Sequence, residues 1–188
     1  MDITTPNVTS AHARGFTLIE LIIVLAISSI LFSVAIPNLR QFFASNLQRS
    51  EINTLISHFN LARSEAVKQA TRMVLCPSDD NEVCDGSFNW NSGFIIFADE
   101  NANRHRDEYE SLIKVYQNGF ESQISINSTN SRRRLTYQAD GSSPGSNVTI
   151  TFCNLDEIIP PKAVIISNSG RIRISKQRPN GSALSCSY

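Results

Sequence analysis

The feature that most constrains the fold is a long apolar segment near the N-terminus, residues 15–36, which reads GFTLIELIIVLAISSILFSVAI. A helix rises about 1.5 Å per residue, so this segment spans about 30 Å, the thickness of the hydrocarbon core of a bilayer. A secretory signal peptide is the alternative, but its apolar region is shorter and ends at a small-residue cleavage site. Here Ala35-Ile36-Pro37 leads into further helical pattern. The sequence therefore favours a membrane-spanning helix.

Glu20 is the one charged residue inside this segment. An isolated carboxylate there costs about 2.5 to 3.5 kcal/mol on membrane-insertion scales, so such residues usually have a partner or a function. A buried carboxylate stays ionised at low cost only beside a cation. The sequence therefore predicts a positively charged partner for Glu20.

Residues 15–20, with the sequence GFTLIE, resemble the processing and assembly motif of type IV pilins and type II secretion pseudopilins. The resemblance implies that a prepilin peptidase cleaves after Gly15 and that the new N-terminus, Phe16, is methylated. It also implies that Glu20 pairs with the amino terminus of a neighbouring subunit during filament assembly. Residues 1–15 are accordingly interpreted as a prepilin leader peptide and excluded from the fold.

The patterning of the remaining chain predicts three segments. Residues 16–37 form the transmembrane and filament-core helix. Residues 38–71 continue as an amphipathic helix, because apolar residues recur at steps of three and four. Pro37 is expected to kink one long helix, with a boundary between two helices as the alternative. Residues 72–188 form a β-rich extracytoplasmic domain.

Apolar or alternating runs separated by turn signals predict antiparallel β-sheets that pack on the helix. The fold class is therefore α+β, and the resemblance makes it type IV pilin-like. The predicted strands are 73–76, 94–98, 112–116, 124–126, 135–138, 148–153, 163–167 and 171–175.

Further residues resemble the GspH/FimT branch of this family. They are the helical segment LARSEA at 61–66, Cys76-Pro77, and Trp90 followed by Gly93-Phe94. We use the helical segment only to identify the branch, and we expect its Arg63 and Glu65 to be exposed.

All four cysteines follow the membrane segment: Cys76, Cys84, Cys153 and Cys186. An even number in an exported domain indicates two disulfides, and three connectivities are possible. We favour Cys76 with Cys84, which closes a short loop, and Cys153 with Cys186, which ties the C-terminal tail to a strand. A metal site is disfavoured, because neither a C-x-x-C pair nor a matching histidine spacing is present.

The formal net charge is zero, so the whole molecule has no general electrostatic affinity for nucleic acid. The charge is unevenly placed, however. Acidic residues concentrate between Asp79 and Glu110, and none follows Glu157. The basic residues after that point are Lys162, Arg171, Arg173, Lys176 and Arg178.

No pattern predicts catalysis or a cofactor. The acidic loop, residues 99–110, imitates calcium ligands of an EF-hand, but Arg104 stands where the loop needs glycine. A solvated hairpin loop is the favoured interpretation. Nucleophile-elbow and zinc-protease motifs are absent, so we expect neither an enzyme nor a bound metal.

The C-terminal hairpin carries the strongest candidate site. Side chains alternate along a strand, so Arg171 and Arg173 should project from one side, about 7 Å apart. The planar guanidinium suits phosphate oxygens. An edge strand protected from aggregation by its charges is the alternative.

Residues 170–173, with the sequence GRIR, resemble the G-R-x-R signature of FimT-type minor pilins, which are implicated in DNA uptake during natural transformation. The resemblance implies that Arg171 and Arg173 contact DNA. Asn168 and Gly170 are expected to add donors, and Lys176 and Arg178 to add electrostatic support. The basic run 132–134 is expected to be a solvated loop unless the fold brings it near the tail.

The expected function is therefore that of a DNA-binding minor pilin. Its expected partners are DNA, other pilins, the prepilin peptidase and the bacterial inner membrane, with the domain in the periplasm before entry into a pilus or pseudopilus. The alternative is a GspH-like pseudopilin with a structural or priming role in type II secretion or pilus assembly.

Overall fold

A computed structural model of the protein describes residues 16–117 and 123–186. A single helix, α1 (Leu18–Gln69), precedes the strands. The strands are β1 (Arg72–Pro77), β2 (Gly93–Asp99), β3 (Leu112–Gln117), β4 (Ile124–Ser128), β5 (Leu135–Tyr137), β6 (Val148–Asn154), β7 (Lys162–Ile166) and β8 (Ile172–Ser175). Each predicted strand is present, and the predicted α+β class is confirmed. The leader and its Gly15 lie outside the described residues.

The first compact unit ends at Leu39, and its described part consists mainly of the N-terminal portion of α1. The large apolar side chains of this portion are exposed in the isolated chain. Among the described residues, α1 alone is long and apolar enough to cross a membrane. Pro37 lies within α1, so the structure has one helix here and not two.

The second unit, Arg40–Tyr188, contains the rest of α1 and two four-stranded sheets. Sheet A has the strand order β3-β2-β1-β5, and sheet B has the order β4-β6-β7-β8. Every neighbouring pair of strands is antiparallel.

One apolar core joins α1 to the inner faces of both sheets. The buried residues of α1 in this unit recur at the steps of three and four that place side chains on one face of a helix. Phe59 contacts Trp90 edge to face, with ring centroids 6.0 Å apart. The core also includes alternate residues of the strands, such as Leu75 in sheet A and Phe152 in sheet B. The buried residues of α1 are Ala44, Gln48, Ile52, Leu55, Phe59, Ala62 and Ala66.

Two disulfides complete the second unit, and both have the favoured pairing. Cys76 is bonded to Cys84, and Cys153 is bonded to Cys186. Phe152 points into the core, so the neighbouring Cys153 lies on the outer face of sheet B. The second disulfide therefore holds the C-terminal tail against that outer face.

Two carboxylates of the acidic loop accept hydrogen bonds from within that loop. The Glu110 carboxylate accepts from the backbone N–H groups of Glu100 (2.9 Å) and Asp107 (3.0 Å). The Asp107 carboxylate accepts from Asn101 (2.7 Å) and Asn103 (2.9 Å), and these hydrogen bonds lower its pKa. Within the described ranges, no group of three or more His, Cys, Asp or Glu side chains is placed to hold a metal ion.

Candidate functional site

Strand β8 forms an edge of sheet B. It contains Arg173 and begins directly after Arg171. The register pairs Ile172 with Ile166 of β7, and both residues contact the apolar core. Because adjacent residues of a strand point to opposite faces, Arg173 projects from the outer face. The Ser167 N–H donates to the Arg171 carbonyl, so the pairing reaches Arg171 and the same alternation places it on the outer face.

Both arginines are exposed, and neither guanidinium has a hydrogen-bond or ion-pair partner within residues 16–117 and 123–186. The two ion pairs recorded in these ranges lie elsewhere, between Lys68 and Glu65 and between Arg72 and Asp99. The positive charges of Arg171 and Arg173 are therefore available to an external anion.

Gly170 shapes the turn between β7 and β8. Its φ of +75° lies in the left-handed region, and a Cβ atom at this position would overlap the carbonyl oxygen of Gly141. Its N–H donates to the Ser167 carbonyl (2.8 Å), and the Ser167 N–H donates to the Arg171 carbonyl (3.1 Å). Gly170 thus has a structural role in the turn, and its N–H is hydrogen-bonded within the turn. Asn168 is exposed, and its carbonyl accepts from the Ser143 N–H (2.8 Å).

Arg63 of α1 connects the helix to this turn. Its Nη1 donates to the Gly170 carbonyl and its Nη2 to the Ser169 carbonyl, each at 3.3 Å. The prediction that Arg63 is a simple exposed helix residue is wrong. The available signal was its spacing, since it lies four residues after Phe59 and three before Ala66, both fully buried.

Replacement of Arg63 by alanine is expected to destabilise the protein by about 1 to 3 kcal/mol, because it removes the charged donor of both carbonyls. Thermal unfolding of the full-length protein in detergent, followed by circular dichroism, measures this loss. Lys68→Ala is the matched control, since Lys68 is an exposed residue of the same helix. Equal melting temperatures for the two variants would contradict the stabilising role of Arg63.

The remaining predicted cations are divided between two places. Arg178 lies in the tail, beside the outer-face residues Thr149 and Thr151, and its Nη2 donates to Ser185 Oγ (2.6 Å). Lys176 instead lies near Lys162. Partial burial lowers the pKa of Lys162, and the positive charges of Arg49, on α1, and of Lys176 lower it further.

The predicted assembly residues lie at the start of α1. Phe16 precedes the helix, and Glu20 lies in its first turn. The Glu20 N–H donates to Thr17 Oγ1 (3.3 Å). A carboxylate in the first turn interacts favourably with the helix dipole.

Comparisons with known proteins agree with this architecture. A family model described as type II transport protein GspH matches residues 51–174, and a model of the prokaryotic N-terminal methylation motif matches residues 10–36. No curated protein matches the chain in sequence.

Two crystal structures of the type IV minor pilin FimU from Pseudomonas aeruginosa strain PAO1 are similar to this chain. The P21 form has a TM-score of 0.56 and 20% identity, covering 78% of this chain and 99% of the FimU chain. The P65 form has a TM-score of 0.47 and 21% identity, covering 77% and 97% of the two chains. The P21 likeness confirms the predicted type IV pilin-like fold.

These matches define the class of protein. Pilins and pseudopilins are structural proteins that associate with other pilins and are processed by a prepilin peptidase at the N-terminal methylation motif. The apolar helix and this motif are those of a membrane-anchored subunit that later enters a pilus or pseudopilus. The GspH model matches well over half of the residues of this chain, so the chain belongs to the GspH family of type IV pilin-like proteins.

Proposed function

We propose that this subunit is a minor type IV pilin that binds DNA without sequence specificity and supports DNA uptake in natural transformation. Arg171 and Arg173 are the principal contacts. The observation that carries the proposal is their shared outward projection without any acceptor in the described chain. Arginines held on one side of a strand and clear of carboxylates match a backbone of repeated phosphates.

The surroundings of β8 support the same role. Within the described residues, no carboxylate of the acidic loop forms an ion pair with Arg171 or Arg173. Arg178 adds positive charge on the outer face of sheet B, and Asn168 offers an exposed amide at the turn. Lys176 lies apart from these groups and contributes through longer-range electrostatics.

The N-terminal residues are the basis for the proposed processing and assembly of the subunit. The prepilin peptidase cleaves after Gly15 and the amine of Phe16 is methylated. Glu20 then pairs with the amino terminus of a neighbouring pilin during assembly. Before assembly, the subunit spans the bacterial inner membrane once with its domain in the periplasm.

The proposal predicts a strong salt dependence. With about three to five phosphate contacts, the logarithm of the affinity should fall against the logarithm of the salt concentration with a slope of about −3 to −4. Replacing Arg171 and Arg173 by glutamine should weaken binding about 10-fold or more near physiological salt, since two contacts are lost. A gel-shift titration of full-length protein in detergent micelles measures both quantities.

The matched control is Lys68→Gln with Lys114→Gln, which removes two positive charges from exposed positions outside sheet B. Equal melting temperatures establish that both double variants are folded. If the arginine variant binds DNA as tightly as wild type, the site assignment is rejected. A transformation assay with the same variants tests the biological role.

A second candidate function is a GspH-like pseudopilin that primes or caps a filament in type II secretion. The description of the matched family, type II transport protein GspH, favours it. This function requires filament assembly but not DNA binding. It therefore predicts that the variant lacking Arg171 and Arg173 retains full assembly and secretion activity.

A further inference from the structure

We propose that a second anion site extends the DNA footprint, so that one strand's backbone runs from the C-terminal tail along a groove at the outer face of sheet B. This site, the arginine cavity, is formed by Arg104, Arg132, Arg133 and Arg134. The inference rests on the proposed DNA-binding function and adds to it a defined path for the ligand.

The arginine cavity has a volume of about 280 Å³ and is open to solvent on the surface of the second unit. Four arginine residues line it, although Arg104 belongs to the acidic loop and the other three precede β5. Like charges repel one another, so such a grouping favours an anion between them.

The guanidinium groups are held by neutral acceptors. Arg132 Nη1 donates to the Gly145 carbonyl (2.6 Å), and Arg133 Nη1 donates to the Gly86 carbonyl (2.8 Å). Arg134 Nη1 donates to the Arg104 carbonyl (3.0 Å). Within the described ranges, no carboxylate forms an ion pair with any of the four side chains.

These contacts orient the arginines without neutralising them. A guanidinium has five N–H donors, so each of the three tethered groups keeps donors for a ligand. Because the side chains are already ordered, a phosphate would bind with a smaller loss of conformational entropy. The cavity is therefore suited to phosphate oxygens.

A polar groove connects this cavity to the C-terminal tail. A second cavity of about 480 Å³ lies between the outer face of sheet B and the tail, and it is lined by Thr149, Thr151 and Arg178. Asn130 lines both this cavity and the arginine cavity.

The strand register places Arg173 beyond the edge of this groove. Arg173 is opposite Ile165, and Ile165 is opposite Thr149. Ile165 is buried, so the surface between Arg173 and Thr149 is covered. Residues directly opposite in neighbouring strands share a face, and strands are about 4.8 Å apart, so Arg173 lies about 10 Å from Thr149 across the sheet. The arginine cavity thus stands at one end of the groove and Arg178 at the other, and the neutral hydrogen-bonding side chains of Thr149 and Thr151 lie along it.

This distribution favours an elongated polyanion over a single small anion. A small anion would occupy the arginine cavity alone, whereas a sugar–phosphate backbone can contact the cavity, Arg178 and the neutral donors between them. Half-buried Phe88 also lines the groove and offers a surface on which a base can stack.

The test uses fluorescence anisotropy with thymidine oligonucleotides of about 12 and about 4 nucleotides, which differ in their ability to span the groove. The key variant is R132Q/R133Q/R134Q in the full-length protein. For the longer probe, its salt slope should be smaller than that of wild type by about 2, and its affinity near physiological salt should be about 10- to 50-fold weaker. The variant R132K/R133K/R134K should keep the wild-type salt slope, because it preserves the charge, and it serves as a control for folding.

The outcomes separate this inference from the proposed function. If the triple glutamine variant binds the longer probe like wild type while R171Q/R173Q does not, the arginine cavity is no part of the footprint and the hairpin site stands. If only the triple glutamine variant weakens binding, the hairpin assignment fails and the cavity stands as a separate site. If wild type binds two longer probes at once, the continuous path is rejected, because a single strand across the groove requires one probe per protein.

Discussion

Replacement of Gly170 by alanine is expected to destabilise the protein by about 3 to 5 kcal/mol. The new Cβ atom would overlap the Gly141 carbonyl oxygen and would lie 3.2 Å from Tyr137 Cε1 and 3.4 Å from Arg63 Cζ. A backbone carbonyl cannot move aside as a flexible side chain can. The φ of +75° adds the cost of a left-handed conformation. Circular dichroism of the full-length protein in detergent should show a melting temperature about 10 °C lower or more.

The control for this experiment is Gly86→Ala. Gly86 has nearly the same φ, +74°, but no heavy atom lies within 4 Å of the position of its Cβ. This variant therefore carries only the conformational cost, about 1 to 2 kcal/mol. If the two variants have the same melting temperature, the close approach of Gly170 to Gly141 contributes nothing to the cost of the substitution. The glycine of the G-R-x-R signature would then not be required by packing.

Loss of the Cys153–Cys186 disulfide should have an effect of similar size, about 3 to 4 kcal/mol, because the bond closes a loop between residues 33 apart. The double variant Cys153→Ala with Cys186→Ala should also release the tail from the outer face of sheet B. Arg178 would then leave the groove beside Thr149 and Thr151. We expect DNA affinity to fall by a few-fold, since one phosphate contact is lost.

The matched control is Cys76→Ala with Cys84→Ala. These cysteines are only 8 residues apart, so the loop-closure contribution is smaller, about 2 to 3 kcal/mol. Their disulfide lies by sheet A, so DNA binding should be unchanged at temperatures where the protein is folded. Unfolding curves and gel-shift titrations measure the two effects. Equal loss of DNA affinity in both double variants would show that the tail is not part of the binding surface.

The proposed site combines two kinds of contribution. The alternation of β8 presents Arg171 and Arg173, and this is a property of a short stretch of chain. Arg63, Gly170 and the Cys153–Cys186 disulfide hold the turn and the tail in place. They act by positioning, so their substitution should lower stability as well as affinity, whereas substitution of Arg171 and Arg173 should lower affinity alone.

The sequence by itself determined the features that depend on neighbouring residues. The membrane-spanning length of α1, its amphipathic continuation and the eight strands follow from periodicity, which reports burial locally. The outward projection of Arg171 and Arg173 follows from the same alternation. The motif around Phe16 and Glu20 is likewise contiguous and was readable without a structure.

Only the tertiary structure decided which distant residues meet. It divides the strands between two sheets and places Arg63 against the carbonyl of Gly170, 107 residues away. It also places Asn130 in the lining of two cavities, one that contains residues 132–134 and one that contains Arg178. Periodicity shows which face of an element is buried but not which element covers it. That choice depends on packing the whole core at once, since antiparallel strands can pair in many orders that bury the same faces.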